Sequence, residues 1–147
     1  MAEHTFHYEG SWSGGRQGKG HIQSGNLSSV LSTPKQMDGL GEGTNPDELL
    51  VSAAGSCYLM TLAFGIERKG VPVKELTITS MGIASDKGGL HFERIIHHPR
   101  IVLEAGADDD LIEKVEELVK ASESRCMVSK ALRGNVDVSV EAEIVQS

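Results

Sequence analysis

One long uncharged stretch, Leu49 to Ile66, constrains this chain most, because it runs for 18 residues without a charge. The preceding Asn45-Pro46-Asp47-Glu48 predicts a helix start with Asn as cap, Pro at the first helical position and Glu at the third. Gly70 and Pro72 predict where the helix ends. Apolar residues cover nearly every face of this helix, which is typical of a helix enclosed by other structure. Since 147 residues make about one domain, residues 1–147, we expect a second subunit to help cover the helix.

The same stretch touches the lower bound for a membrane span. Small and polar residues, among them Ser52, Gly55 and Thr61, dilute it and favour a buried core helix. The formal charge of −7, from 14 basic and 21 acidic residues, repels phosphate backbones and anionic membranes, and 4% aromatic residues leave little for base stacking. We therefore expect no nucleic-acid or membrane partner. Met1–His4 shows neither a basic nor an apolar targeting region, which predicts a cytoplasmic protein.

Hydrophobic periodicity predicts the remaining elements. Strands are expected over Thr5–Trp12, His21–Gln23, Leu27–Ser32, Leu76–Ile83, Leu90–Ile96, Arg100–Glu104 and Val136–Ile144. The other segments are expected to be a flexible connection over residues 34–44, an amphipathic helix over Asp108–Arg125 and a short turn over Cys126–Leu132. This order, which lacks regular strand–helix alternation, predicts an α+β fold with mainly antiparallel sheets.

Two cysteines, Cys57 and Cys126, lie 69 positions apart. In a reducing compartment they are core thiols, metal ligands or redox residues rather than a structural disulfide. Cys57 lies about three turns into the long helix, beyond the reach of that helix's dipole, and burial alone raises the pKa of a thiol. A reactive Cys57 is therefore expected to need a cation from elsewhere in the chain. A small, inert core side chain is the other interpretation.

Three further residues are candidates to act with Cys57. Arg16 lies on the glycine-rich turn Gly14–Gly20, where the backbone can come close to another element. Asp47 lies ten positions before Cys57 and within about 80° of the same helix face, whereas Glu48 falls on the opposite face. We therefore expect Asp47 to be the acid that acts with the thiol, with Glu48 as the fallback. Helix capping and a solvated arginine are the simpler alternatives.

Neither a cofactor nor a metal is expected. The turn around Lys19 lacks the spacing of a Walker phosphate loop, and the Gly39–Gly43 segment does not join a strand directly to a helix, as a dinucleotide site requires. The six histidines are scattered, without a Cys-x-x-Cys or His-x-x-x-His pair. A zinc site is therefore disfavoured.

Five segments, taken together, resemble one known family. They are Gly14-Gly15-Arg16-Gln17-Gly18, Thr33-Pro34-Lys35-Gln36-Met37, Gly43-Thr44-Asn45-Pro46-Asp47-Glu48-Leu49, Ala53-Ala54-Gly55-Ser56-Cys57 and Cys126-Met127-Val128-Ser129-Lys130-Ala131-Leu132. In this order, and over nearly the whole chain, they resemble the OsmC/Ohr family of organic hydroperoxide reductases. The resemblance implies an OsmC-like intertwined homodimer, with mainly antiparallel sheets wrapped around two long central helices and an active site at each side of the interface.

The resemblance also implies the chemistry of a metal-free cysteine peroxidase. By position, Cys57 resembles the peroxidatic cysteine, Cys126 the resolving cysteine and Arg16 the arginine that holds the thiolate, and the family's acid falls on Asp47. Cys57 would reduce an organic hydroperoxide and become a sulfenic acid, which Cys126 would close to an intramolecular disulfide. An external dithiol, such as a lipoyl-bearing protein, would reset the pair. A redox sensor and an apolar-ligand-binding protein with little turnover are the alternatives.

Two residues depart from the family pattern. Asp47 replaces the usual Glu and is one methylene shorter, so it is expected to reach Arg16 differently. Met127 stands where the family often has proline after the second cysteine, and the turn that presents Cys126 is expected to be looser.

Overall fold

Residues 2–147 are described by a computed structural model. Met1, the first residue of the segment Met1–His4 considered above for a targeting region, lies outside the described residues. Strands β1–β7 span Glu9–Ser13, Lys19–Ser24, Leu27–Ser32, Val73–Ser85, His91–Leu103, Asp137–Val140 and Glu143–Gln146. Helices α1–α3 span Pro46–Lys69, Asp109–Arg125 and Met127–Leu132. The predicted α+β class is confirmed. The chain divides into two compact units, up to Leu49 and from Leu50 onward, which are described in turn.

The first unit contains one antiparallel sheet in the order β1–β2–β3. The glycine-rich turn predicted at residues 14–20 joins β1 to β2, with a φ of 94° at Gly14 that favours glycine. The predicted strand Thr5–Trp12 is wrong at its start, since β1 begins only at Glu9. Glu9 pairs with Gln23 near the end of β2, so the residues before β1 have almost no strand left to pair with.

The connection from β3 to α1 is held by hydrogen bonds, and the prediction of a flexible segment over residues 34–44 is wrong. A 3-10 helix spans Lys35–Met37. The buried Ser32 hydroxyl donates to the Glu42 C=O at 2.6 Å and accepts the Glu42 N–H at 2.8 Å. Thr44 N–H donates to a carbonyl of β3 at 2.9 Å. These bonds hold the residues that precede α1 against β3.

Helix α1 begins and ends where the sequence predicts. Asn45 caps it, because its Oδ1 accepts the Glu48 N–H at 2.9 Å, a contact that stabilises a helix start by about 1 kcal/mol. The Glu48 carboxylate does not reach back to the Asn45 N–H as it would in a capping box, and its Oε1 instead accepts from the Thr44 hydroxyl at 3.0 Å. Asp47 places another carboxylate in the first turn, where the helix dipole favours negative charge.

In the second unit, β4 and β5 form an antiparallel hairpin around a turn at Asp86–Gly89. Pro99 was expected to separate two strands, but β5 runs through it without a break. His97 C=O accepts the Glu141 N–H, so Pro99, two residues further on, turns its nitrogen toward the same edge. That nitrogen lies opposite the gap between β6 and β7, where a missing N–H breaks no ladder bond.

Strands β6 and β7 replace the single strand predicted over Val136–Ile144, and both lie parallel to β5. β6 pairs with Arg94–His97, and β7 pairs with Arg100–Leu103. The second sheet is therefore mixed, although pairing among the described strands is mainly antiparallel, as expected: β1–β2, β2–β3 and β4–β5 are antiparallel. Alternation of apolar residues indicates which face of a strand is buried, but not the direction of its neighbour.

The core of the second unit lies between α1, α2 and β5. Its buried members include Tyr58, Leu62, Ile66, Ile101, Leu103, Val115, Leu118, Val119 and Cys126. Gly55 lets α1 approach β4 closely, since a Cβ there would lie 3.0 Å from Ser80 Oγ. The amphipathic α2 is confirmed, with Asp108 Oδ1 accepting the Leu111 N–H at 2.9 Å as its cap. The short turn predicted over Cys126–Leu132 is wrong, because α3 occupies it.

Helix α1 is not fully enclosed by its own chain. Met60 and Phe64 are each 55% exposed. By length and composition alone α1 could cross a membrane, and 33% of its most apolar segment is buried within the chain. One chain therefore leaves an apolar face of this helix uncovered, as the sequence predicts.

Candidate active site

Helix α1 and the junction of α2 and α3 bring the two cysteines together. Cys57 lies midway along α1, and Cys126 is the residue between α2 and α3. Cys126 N–H donates to the Ser122 C=O at 3.0 Å, and its C=O accepts the Lys130 N–H at 3.0 Å, which fixes the junction. Both residues are free thiols, and they lie close enough for each to shift the pKa of the other. Cys126 is fully buried, whereas Cys57 is partly exposed.

The two thiols differ in pKa. Burial opposes ionisation of Cys57, yet four hydrogen bonds outweigh it and lower the pKa of this thiol. The donors are the Val128 N–H, the Cys126 thiol, the Met127 N–H and the Thr61 hydroxyl. Burial and, to a smaller extent, the adjacent Cys57 sulfur raise the pKa of Cys126. Cys57 therefore ionises first, while Cys126 keeps its proton and donates it in a hydrogen bond to the thiolate.

Backbone N–H groups help to lower the pKa of Cys57, a role for which the sequence analysis expected a cation. Met127 and Val128 open α3, and the first N–H groups of a helix have no partner within it. These N–H groups come from a different helix from that of Cys57 and lower the pKa of its thiol without a cation, while the further effect of a cation on Cys57 stays a prediction. Met127, which stands where the family often has proline, supplies one of these N–H groups, whereas a proline at position 127 would have no N–H to donate.

Thr61 is a residue of the site that the sequence analysis missed. Its hydroxyl donates to the Cys57 C=O at 2.7 Å, and it lies near enough to the Cys57 sulfur to help lower the pKa of that thiol. The spacing of four residues, which places two side chains on one helix face, is the signal that could have found it.

A buried polar cluster ties the segment of α1 that carries the reactive thiol to its neighbours. Tyr58 donates through its hydroxyl to the Val119 C=O of α2 at 2.9 Å. The Tyr58 ring stacks on His97 of β5 with 5.1 Å between ring centroids, and His97 Nδ1 lies 2.6 Å from Ser80 Oγ of β4. Burial raises the pKa of Tyr58 and lowers the pKa of His97, so both rings are neutral. The cluster orients α1 relative to α2 and the sheet.

The other three candidate residues lie in the first unit. Arg16 is exposed on the turn between β1 and β2, where Nη1 donates to the Met37 C=O at 3.3 Å. Asp47 lies in the first turn of α1 and is partly exposed. The fallback acid Glu48 accepts from the Thr44 hydroxyl at the same helix start. The roles predicted for these three residues toward Cys57 stay predictions.

Within residues 2–147, no three His, Cys, Asp or Glu side chains are grouped as metal ligands. Several histidines have other partners. His98 Nε2 lies 3.7 Å from Glu141 Oε2, and His21 Nε2 lies 3.0 Å from Ser28 Oγ.

The fold and the site together define an α+β protein that holds two thiols of unequal pKa in contact. Comparison with known families agrees: the family model described as OsmC-like protein matches residues 39–141. The chain belongs to the OsmC-like family, and the resemblance seen in its sequence is confirmed.

Individual relatives extend the match over most of the chain. The uncharacterized protein YmaD of Bacillus subtilis is 45% identical over 145 residues, covering 98% of this chain and 97% of that protein. The organic hydroperoxide resistance protein of Xanthomonas axonopodis pv. citri is 30% identical over 130 residues, covering 86% and 87%. The crystal structure of the organic hydroperoxide resistance protein OhrB of Bacillus subtilis has a TM-score of 0.69 at 27% identity, covering 94% and 98%. Relatives at this modest identity are thus named for resistance to organic hydroperoxides.

Proposed function

We propose that this protein is a thiol peroxidase that reduces organic hydroperoxides to alcohols. The observation that carries the proposal is the dithiol: Cys57, with a lowered pKa, is hydrogen-bonded to Cys126, with a raised pKa. When the environments of two titratable groups move their pKa values in opposite directions, the group with the lowered pKa is the nucleophile and the other keeps its proton. Relatives that are named for organic hydroperoxide resistance support the choice of substrate class.

The proposed reaction balances as a two-electron transfer from the dithiol. The Cys57 thiolate attacks the terminal oxygen of the hydroperoxide, the O–O bond breaks, and the alkoxide takes a proton to leave as an alcohol. Cys57 is now a sulfenic acid. The Cys126 thiol condenses with it, which forms a disulfide and releases water. The contact between the two side chains favours this step over further oxidation. An external dithiol, for which a lipoyl-bearing protein is our proposal, then reduces the disulfide.

The same proposal includes the assembly and the place of action. We expect a homodimer, since α1 exposes the apolar side chains of Met60 and Phe64 in one chain. Two α1 helices would then lie centrally, as the family resemblance implies. Reduction by an external dithiol suits the reducing cytoplasm, and the chemistry needs no metal, cofactor, nucleic acid or membrane.

Intact mass after one equivalent of cumene hydroperoxide tests the function. We expect a loss of about two mass units, because the thiols become a disulfide. In Cys126→Ser the loss should be replaced by a gain of about 16 mass units, the oxygen of a sulfenic acid, or by a larger multiple after further oxidation. A wild-type chain that stays an unmodified dithiol would remove the peroxidase proposal.

If Arg16 acts on the thiolate, as the family resemblance implies, Arg16→Ala is expected to raise the pH at which half of Cys57 is ionised by about one unit or more, because a cation beside a thiolate favours it. The pH dependence of alkylation by iodoacetamide measures this midpoint. Arg16→Lys is the matched control, since it keeps the charge and is expected to keep most of the effect. A midpoint that does not move in Arg16→Ala would leave the hydrogen bonds at Cys57 as the whole cause, and would remove the proposed part of Asp47 in orienting Arg16.

A groove of about 560 Å³ in the second unit favours apolar-ligand binding as a second candidate function. It lies between α2 and the strands β6 and β7. Its lining comprises Ile112, Glu116, Val119, Lys120, Glu123, Val138, Ser139, Val140, Ala142 and Ile144. This volume is within the range of small-molecule sites. Neither cysteine lines the groove, so ligand binding there would survive removal of the Cys57 sulfur, whereas peroxide reduction would not.

A further inference from the structure

The hydroxyl of Thr61 lies where it can serve the reacting sulfur. Thr61 follows Cys57 by one helical turn and is half-buried, and its Oγ1 is 2.7 Å from the Cys57 C=O. Side chains in a helix tilt toward its N-terminus, so the Thr61 side chain lies over the turn that carries Cys57. Both the carbonyl and the sulfur of Cys57 are therefore within its reach.

The bond that Thr61 makes to the Cys57 carbonyl is one that the helix does not need. In α1 the Cys57 C=O already accepts the Thr61 N–H as part of the regular helical ladder. A hydroxyl carries one hydrogen that rotates to the better acceptor, and an ionised group is a stronger acceptor than a carbonyl that is already paired. When Cys57 ionises, the hydrogen is thus better placed on sulfur.

Thr61 also differs from the other donors at Cys57 in its position. The Met127 and Val128 N–H groups and the Cys126 thiol all come from the junction of α2 and α3. Thr61 belongs to the helix of Cys57 itself, so its donation does not depend on where that junction lies. It is the one of the four donors that stays in place if Cys126 is moved.

We propose that Thr61 is a catalytic residue whose hydroxyl turns from the Cys57 carbonyl to the Cys57 sulfur as the thiol ionises, and so holds the nucleophile in its thiolate form. No proton leaves Thr61 in this step. The role in peroxide reduction rests on the function proposed above, whereas the role in ionisation does not. Ordinary hydrogen bonding of a threonine to the preceding turn is the competing explanation, and it predicts no effect on the sulfur.

The test compares Thr61→Val, which keeps the shape and removes the hydroxyl, with Thr61→Ser, which keeps the hydroxyl. The readout is the pH dependence of iodoacetamide alkylation of Cys57 in the reduced full-length chain, with the modified cysteine identified by mass. In Thr61→Val we expect the midpoint to rise by about one pH unit, and alkylation below the midpoint to slow by about tenfold. Thr61→Ser should keep the wild-type midpoint.

Thr61→Ala provides a second hydroxyl-free variant should valine disturb the helix, and circular dichroism verifies that each variant is folded. A wild-type midpoint in the folded valine or alanine variant would overturn the proposal, as would a serine variant that behaves like valine. Alkylation requires no peroxide, so the two proposals fail separately. A raised midpoint in a protein that does not consume hydroperoxide would retain Thr61 as the thiolate's donor and remove the peroxidase.

Discussion

Replacing Cys57 with serine is expected to reduce the dithiol-dependent consumption of cumene hydroperoxide to the rate measured without protein. Serine is close to cysteine in shape, but its hydroxyl does not ionise near neutral pH. The hydrogen bonds that lower the pKa of Cys57 then have no thiolate to stabilise, and the remaining thiol, Cys126, is buried with a raised pKa. The rate is measured as the loss of hydroperoxide with dihydrolipoamide as reductant, and the remaining hydroperoxide is quantified by its oxidation of ferrous ion.

Cys126→Ser is the matched control, because it removes the other sulfur of the same pair. It should consume about one to three equivalents of hydroperoxide and then stop, because each step of Cys57 to sulfenic, sulfinic and sulfonic acid consumes one equivalent. Sustained turnover in Cys57→Ser would contradict the proposed roles. Rapid oxidation of the wild type with negligible turnover under excess dithiol would indicate a redox sensor instead. Apolar-ligand binding that is unchanged in Cys57→Ser, in a chain without peroxide consumption, would favour the second candidate function.

Local chemistry made the helices of this fold predictable. Asn45 and Gly70 set the bounds of α1 because capping and helix termination depend on residues within one turn of each end. The predictions of secondary structure are wrong where the conformation of a segment depends on residues that are distant in the sequence. Pro99 sits within β5 because the nitrogen faces a gap between β6 and β7, some 40 residues later in the sequence, and nothing near Pro99 reveals that gap. Parallel pairing of β6 and β7 is equally invisible in their own alternation.

The candidate active site also contains residues that the sequence could predict and groups that it could not. Cys57 and Cys126 were found through their surrounding motifs, and the structure brings these residues together although they lie 69 positions apart. The backbone donors at Met127 and Val128 could not be predicted, because every residue except proline has an N–H and its direction depends on the fold. Those groups lower the pKa of Cys57, and the sequence analysis considered only a cation for that role. Thr61 was predictable in principle, since it lies four residues from Cys57 on the same helix.

The second large effect is expected at the uncovered face of α1. Met60 and Phe64, one turn apart, are large apolar side chains exposed in a single chain. The first unit also exposes large apolar side chains, namely Phe6, Tyr8, Trp12, Leu27 and Val30. A three-stranded sheet needs a hydrophobic face packed against other structure to be stable. Association of two chains would remove both kinds of surface from water, which is the main favourable contribution to most protein–protein association.

The double substitution Met60→Glu with Phe64→Glu should therefore convert a dimer of twice 15.7 kDa into a monomer of 15.7 kDa. Two carboxylates buried in an apolar interface without partners are expected to weaken association by more than about a hundredfold. Light scattering after size exclusion measures the mass. Both positions face solvent in one chain, so the glutamates leave the fold of the protomer intact, and circular dichroism verifies this. Ser124→Glu, on the exposed face of α2, is the control and should leave the dimer unchanged. A wild-type chain that already has the monomer mass would contradict the proposed assembly.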